Sequence, residues 1–208
     1  MTTITSIGLD LAKKVFQVHG VDDEGKVVVA RKLRRKEVLA FFAKLAPCLV
    51  GMEACGSAHY WAREITKLGH TVKLMPPKYV KAYVKRGKTD AIDAAAICEA
   101  VTRPSMSFVP TKGLQQQGLS MVHSARSQLI GQRTQLTNAV RGHLSEFGIV
   151  AERGLLGFAE LVAIVRDEKD QRLPVTARAA LWSLYVRSRP LAGHRASQYR
   201  AQACAAAG

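Results

Sequence analysis

Asp10 closes the apolar run Ile7-Gly8-Leu9-Asp10, and Glu53 closes a second, Leu49-Val50-Gly51-Met52-Glu53. Asp90 and Asp93 open a third pattern with helical spacing, Thr89-Asp90-Ala91-Ile92-Asp93-Ala94-Ala95-Ala96-Ile97. Two acids at strand ends and two on one helix face form a donor set suited to divalent cations. Two-metal phosphoryl transfer needs several hard oxygen ligands around ions about 4 Å apart. One ion lowers the pKa of the attacking water or hydroxyl, and the other stabilises the leaving oxygen. Clustered carboxylates repel one another, and a bound cation lets all of them stay ionised. The expectation is a catalytic, metal-binding tetrad of Asp10, Glu53, Asp90 and Asp93 holding Mg²⁺ or Mn²⁺. Each acid also has a plainer explanation. Asp90 and Asp93, at i and i+3, could simply offset the dipole at a helix N-terminus. Asp10 could be a strand-end turn residue. Glu53 resists such a reading, because a lone acid ending a buried apolar strand is costly without a partner.

The rest of the chain is cationic. It has 208 residues with 31 Lys+Arg against 16 Asp+Glu, a formal net charge of +15. That balance favours a polyanion, because phosphate contacts release counterions and steer association. From Lys67 to Lys88 there are seven Lys or Arg residues and no acid. Within that stretch Lys78, Tyr79, Lys81, Tyr83, Lys85, Arg86 and Lys88 interleave cations with aromatic rings, which suits single-stranded or distorted nucleic acid. A solvated helix face with snorkelling lysines is the plainer alternative. His59 follows Glu53 by six residues and could touch a substrate phosphate, although a surface or capping role is commoner. Cys55 reads as packing, and Ser57 has no base paired with it.

The elements that must position these groups follow from periodicity. Residues 4–9 form a strand entering Asp10. Val15–Val21 and Lys26–Leu33 are two more, and the three make an antiparallel meander around the turn Asp22-Asp23-Glu24-Gly25. Residues 36–45 have helical spacing, stopped by Pro47. Cys48–Glu53 is a nearly all-apolar strand. A helix over about 58–68, a strand over 71–75, a short helix around 78–84 and the helix carrying Asp90 and Asp93 complete the series; Pro104 ends the last. Three strands, helix, strand, helix, strand, helix is the element order of the ribonuclease-H-like fold, an α/β architecture with a mixed sheet and flanking helices. In that topology the first and fourth strands are neighbours, so Asp10 and Glu53 lie side by side.

Residues 112–147 form a different unit. Val122, Ala125, Leu129, Leu136, Val140, Leu144 and Phe147 make a heptad-like seam on a long coiled-coil-type helix. Arg126, Arg133 and Arg141 recur along it, and residues 100–145 contain no acid. The seam predicts a protruding helix that pairs with another chain or helix; packing on its own domain is the alternative. Residues 171–208 also lack acids, and apolar spacing decays after Leu181. The expected boundaries are 1–110 for the catalytic domain, 111–150 for the long helix, 151–184 for a partial helical continuation and 185–208 for a disordered tail.

Composition also excludes classes. No apolar run approaches ~18 residues, so no transmembrane helix is expected. The first residues lack the basic and long apolar regions of a signal peptide. Cys48, Cys55, Cys98 and Cys204 form no CxxC pair and read as free thiols in a reducing cytoplasm.

Taken together, Gly8-Leu9-Asp10-Leu11-Ala12-Lys13, the stretch from Gly51 to Arg63 and Lys88-Thr89-Asp90-Ala91-Ile92-Asp93-Ala94 closely resemble the DEDD transposases of bacterial insertion sequences. Pro76-Pro77-Lys78-Tyr79-Val80-Lys81 and the stretch from Arg141 to Val150 are similar to the same family. The resemblance covers about residues 4–181. It implies a Holliday-junction-resolvase-like domain with Asp10, Glu53, Asp90 and Asp93 as the Mg²⁺-binding set, followed by a coiled-coil segment. It also implies DNA as substrate and a structured guide RNA. The heptad-like seam leads to an expected homo-oligomer through residues 112–147, and the expected location is cytoplasmic and nucleoid-associated, with no membrane. Full-length relatives continue into a domain that supplies a serine nucleophile. The chain from about Trp182 departs from the family's helical continuation, so a truncated copy is expected. The competing readings are an autonomous structure-selective DNA nuclease of the same fold and a catalytically inactive nucleic-acid-binding regulator.

Overall fold

Five short apolar runs pair into one mixed sheet: β1 (Ser6–Asp10), β2 (Val15–Val21), β3 (Val27–Arg34), β4 (Leu49–Glu53) and β5 (Thr71–Met75). The strand order is β3-β2-β1-β4-β5. The computed structural model describes residues 3–84 and 89–193. β1, β2 and β3 are the expected antiparallel meander. β4 and β5 add in parallel on the other side of β1. Parallel neighbours need crossovers, and helices supply them here. A 3₁₀ turn at Arg35–Glu37 and α1 (Val38–Phe42) lead into β4, and α2 (Ala58–Lys67) leads into β5. α3 (Pro77–Val80) and a 3₁₀ turn at Lys81–Tyr83 follow, then α4 (Asp90–Val101), α5 (Leu114–Ser145), α6 (Leu155–Arg166) and α7 (Val175–Gly193).

Alternation sorts the strands into two faces. Ile7, Leu9, Phe16, Val18, Leu33, Val50, Met52 and Leu74 pack against Val38 and Phe42 of α1 and Ala58, Trp61, Ala62 and Ile65 of α2. The α2 residues recur at i, i+3, i+4 and i+7, the spacing of one buried helical stripe. The opposite face carries Ser6, Gly8 and Asp10 on β1 and Gly51 and Glu53 on β4, and α4 covers it. α4 fits closely because both sides of the contact are small. A Cβ on Gly51 would lie 2.7 Å from Val101 Cβ, and the α4 residues against Gly8 are Ala94 and Cys98. The ribonuclease-H-like α/β expectation therefore holds, with the long helix after it.

The chain divides into two compact units, the second beginning at Gly118. In that second unit Val140 and Leu144 of α5 pack with Ile149, with Leu161 and Val165 of α6, and with Leu173 and Leu181. α5 ends in a Schellman motif: Gly148 has φ +71°, and the Ile149 amide donates to the Leu144 carbonyl at 3.0 Å. Phe147, expected on the helical seam, lies beyond that end. The seam itself divides. Its C-terminal residues are core, whereas Val122 and Leu129 are exposed. The Arg178 guanidinium closes α6 by donating to the carbonyls of Ile164, Val165 and Asp170. The expected disordered tail from 185 is corrected for residues 185–193, where the α7 backbone stays helical to Gly193. The packing of Trp182 and Leu184 with the α6 cluster, and of Tyr185 on Trp182, anchors the helix just before this stretch. Residues 194–208 lie outside the described residues.

Candidate metal and nucleic-acid site

Asp10 and Glu53 end neighbouring parallel strands. The register Ser6↔Leu49, Ile7↔Val50 and Gly8↔Gly51, carried two residues further, sets Asp10 beside Glu53. Both are half-buried on the face that α4 covers. Three contacts fix how α4 lies there. The Cys98 thiol donates to the Ser6 carbonyl at 3.6 Å. Gly8 lies against the Ala94 carbonyl and the Cys98 amide, and Gly51 against Val101. Along β1 from Ser6 to Gly8 the helix therefore runs backwards, from Cys98 towards Ala94. Two strand residues advance about 6.6 Å and one helical turn about 5.4 Å. The next step places Asp10 by the first turn of α4, which carries Asp90 and Asp93. The Thr89 hydroxyl caps that turn by accepting the Ile92 amide at 3.3 Å. Asp90 is exposed and Asp93 half-buried.

Asp10 and Glu53 thus end neighbouring strands on the face that α4 covers, and Asp90 and Asp93 lie in the first turn of that helix. Among the described residues, no three His, Cys, Asp or Glu side chains gather closely enough to hold a metal ion. One further oxygen belongs to this face, and sequence reasoning missed it. Gln17 pairs in register with Asp10. It is 6% exposed, and its Oε1 is buried with no hydrogen-bond partner among the described residues. A buried orphaned oxygen costs about 1–3 kcal/mol. An amide oxygen is a hard donor of the kind divalent cations take. The donor chemistry therefore fits a divalent ion: four carboxylates and a buried amide oxygen, with no soft ligand required. Alternation in a half-buried strand gave no signal for Gln17, because a polar residue at an alternate position normally faces solvent.

The expected nucleic-acid residues separate. Lys78 and Tyr79 of α3 are exposed, with Lys78 Nζ 4.6 Å from the Tyr79 ring centre. Lys81 is exposed. Tyr83 is half-buried against the cluster of Met75, Val80 and Ile97 beneath α4, so it braces the rim rather than offering a free stacking face. Lys85, Arg86 and Lys88 lie outside the described residues. Arg126 and Arg133 are exposed on α5. Arg141 also has a structural role: its guanidinium donates to the carbonyls of Ala151 and Gly154, at 3.2 and 3.0 Å, and holds the turn into α6. It borders a groove of about 990 Å³ shared with Arg133, Arg153, Phe158 and Tyr185.

His59 and Arg63, four residues apart on α2, grip the segment leading into α5. His59 Nδ1 accepts the Lys112 amide at 3.1 Å. Arg63 donates to the Lys112 carbonyl at 2.7 Å and to Gln117 Oε1 at 2.9 Å. Burial, then the charges of Lys112 and Arg63, hold the His59 pKa below the usual imidazole value. His59 is therefore a structural acceptor here. Its partners are some fifty residues away in sequence, so no local spacing could reveal them. The buried Cys48 and Cys98 thiols are pushed up to about 11 by burial, which keeps them protonated and inert. No described helix is long and apolar enough to cross a membrane.

A family model described as transposase, the DEDD type named for IS110, matches residues 7–149, a stretch containing all four acids. The chain is 59% identical over 150 residues to a Pseudomonas aeruginosa protein named "Probable family 20 transposase", covering 72% of this chain and 44% of that one. It is 40% identical over 169 residues to the transposase for insertion sequence element IS1328 of Yersinia enterocolitica, covering 81% and 51%. Over 186 residues it is 38% identical to the transposase for insertion sequence element IS1111A of Coxiella burnetii, covering 89% and 51%. The chain spans about half the length of the curated relatives it matches.

Proposed function

Because the chain belongs to the DEDD transposase family of bacterial insertion sequences, we propose that it binds DNA and cleaves strands through a metal held by Asp10, Glu53, Asp90 and Asp93. The observation that supports this reading is the parallel pairing of β1 and β4, whose ends carry Asp10 and Glu53, with α4 lying over Gly8 and Gly51. Asp10, Glu53, Asp90 and Asp93 would hold the ion, with Gln17 Oε1 as a further oxygen donor. A bound Mg²⁺ or Mn²⁺ supplies an activated water and neutralises developing charge on the leaving oxygen. The protein's share is to fix the carboxylates on strand ends and a helix start, and to seat the phosphate among cations.

Lys78, Tyr79 and Lys81, with Arg126 and Arg133 on α5, supply contacts to nucleic acid, and Lys85, Arg86 and Lys88 belong to the same proposal. A structured RNA is a second polyanion suited to the acid-free α5. Self-association through residues 112–147 is supported by exposed Leu119, Val122, Leu129 and Ile130. Sedimentation velocity of wild type and Leu129→Asp tests it: wild type should sediment as an oligomer and the variant as a monomer, and monomers in both would reject the pairing. Nucleoid association follows from DNA binding.

The test of the main reading is cleavage of a synthetic four-way DNA junction in Mn²⁺. Wild type nicks the junction, and chelation or Asp10→Asn abolishes this. Metal-dependent nicking that survives Asp10→Asn and Glu53→Gln together would reject the assignment of these residues. Binding without any nicking would favour the inactive regulator.

A further inference from the structure

We propose that the base of the β2–β3 hairpin is a second phosphate-binding arm, so that DNA crosses the carboxylate rim rather than ending at it. The proposal rests on the reading that Asp10 and Glu53 act on DNA. It starts from register. Asp10 pairs with Gln17, and Gln17 pairs with Lys32. Cross-strand partners share a face, so Lys32 lies on the α4 face two strand spacings from Asp10, about 10 Å. Arg34, two residues on, has the same face and stands at the rim. Lys13 and Lys14 occupy the loop between β1 and β2, and the Arg35 amide donates to the Lys14 carbonyl at 2.9 Å, joining that loop to the end of β3.

Lys13, Lys14, Lys32 and Arg34 are exposed, and none is ion-paired among the described residues. The nearby Glu37 carboxylate is spent on the Arg34 backbone amide at 2.9 Å. Arg35 packs its guanidinium over Phe16 and Trp61, 5.9 and 5.1 Å from the ring centres, and serves as a brace.

An edge strand often carries lysines merely to block unwanted pairing. That explanation predicts charge spread along β3. The hairpin is instead polarised. Its far turn, Asp22-Asp23-Glu24-Gly25-Lys26, is net acidic, whereas Arg31, Lys32 and Arg34 gather at the end that adjoins Asp10. Across the rim, Lys78 and Lys81 follow β5 on the other side of the acids. From β3 to β5 is four strand spacings, about 19 Å. That length of duplex carries about 11 phosphates on its two strands. Cations on both flanks with carboxylates between them seat a continuous backbone whose middle phosphate meets the acids.

The test uses the full chain, a synthetic four-way DNA junction and chelator, so that binding is read without metal chemistry. Lys13, Lys14, Lys32 and Arg34 are changed together to Ala. A control of equal charge changes Lys26, Lys44, Lys169 and Arg187. The rim variant should bind at least tenfold more weakly than the control, with a salt slope shallower by about 0.9 for each phosphate no longer neutralised. Equal weakening in both variants would overturn the arm. On the wild-type protein, lysine acetylation read by mass spectrometry should show Lys13, Lys14 and Lys32 protected by the junction and Lys26 unprotected. Lack of protection, or protection by an RNA hairpin alone, overturns it as well. Loss of metal-dependent nicking with rim binding intact would instead indict the carboxylate reading.

Discussion

Gly8 of β1 lies directly against the carbonyl of Ala94 in α4, so close that a Cβ at Gly8 would overlap that oxygen and the Cys98 amide nitrogen. The contact brings the strand that ends in Asp10 to the helix that begins with Asp90 and Asp93. Gly8→Ala must push backbone from backbone, since no flexible side chain can yield. It should cost about 1–3 kcal/mol or more. Gly56→Ala, with nothing within 4 Å, should stay within about 0.5 kcal/mol. Urea unfolding of the two variants checks this, and equal stability would contradict the close packing.

Gln17 should show opposite signs in two measurements. Gln17→Met removes the buried Oε1 that lacks a partner. Without metal the variant should gain about 1 kcal/mol, the relief of an unsatisfied oxygen. With Mn²⁺ it should gain less additional stability than wild type. Thermal melts with and without Mn²⁺ read both, and a destabilised metal-free variant would show that Gln17 has a structural partner.

The His59 clamp should make the protein acid-sensitive. Burial chiefly, then Lys112 and Arg63, lower its pKa in the folded state, and its Nδ1 must stay unprotonated to accept the Lys112 amide. The unfolded chain therefore takes up the proton first as the pH falls. The stabilisation is fully present above the unfolded value of about 6.5 and is lost as pH falls through the folded value. His19, lowered by burial, adds in the same direction. His59→Gln keeps an acceptor without the titration, so its stability should fall less than wild type between about pH 7.5 and pH 5. Parallel pH profiles would remove His59 from the account.

Arg141 and Arg133 should part company. Arg141→Ala leaves the Ala151 and Gly154 carbonyls without their charged donor and should cost about 1–3 kcal/mol. Arg133→Ala should leave stability within about 0.5 kcal/mol and weaken nucleic-acid binding. Calorimetry with a filter-binding assay separates them; equal destabilisation would contradict the assignment.

Local pattern made the first unit legible. β2, β4 and β5 fall within a residue of their expected spans, because alternation, apolar runs and Pro or Gly boundaries act over a few residues. The side-by-side placement of Asp10 and Glu53 followed from element order alone. What stayed hidden was long-range or context-dependent. Arg63 reaches Lys112 and Gln117, and Arg178 reaches back to Ile164. Gln17 is buried because α4 covers its face. Arg141 sits in a basic series on α5, yet a turn ten residues away takes its guanidinium. The fading of apolar spacing after Leu181 suggested disorder, yet the α7 backbone stays helical to Gly193, its earlier part held by the packing of Leu181, Trp182 and Leu184 with α6.

The central claim is that the rim acids hold a divalent ion. Equilibrium binding of Mn²⁺ to wild type and to Asp10→Asn/Glu53→Gln tests it without any cleavage assay. Removing groups that merely orient metal ligands already weakens binding by about 10–100-fold. Wild type should bind Mn²⁺, and the double variant, still folded, should bind at least tenfold more weakly. Equal Mn²⁺ affinity in the two proteins would contradict the account.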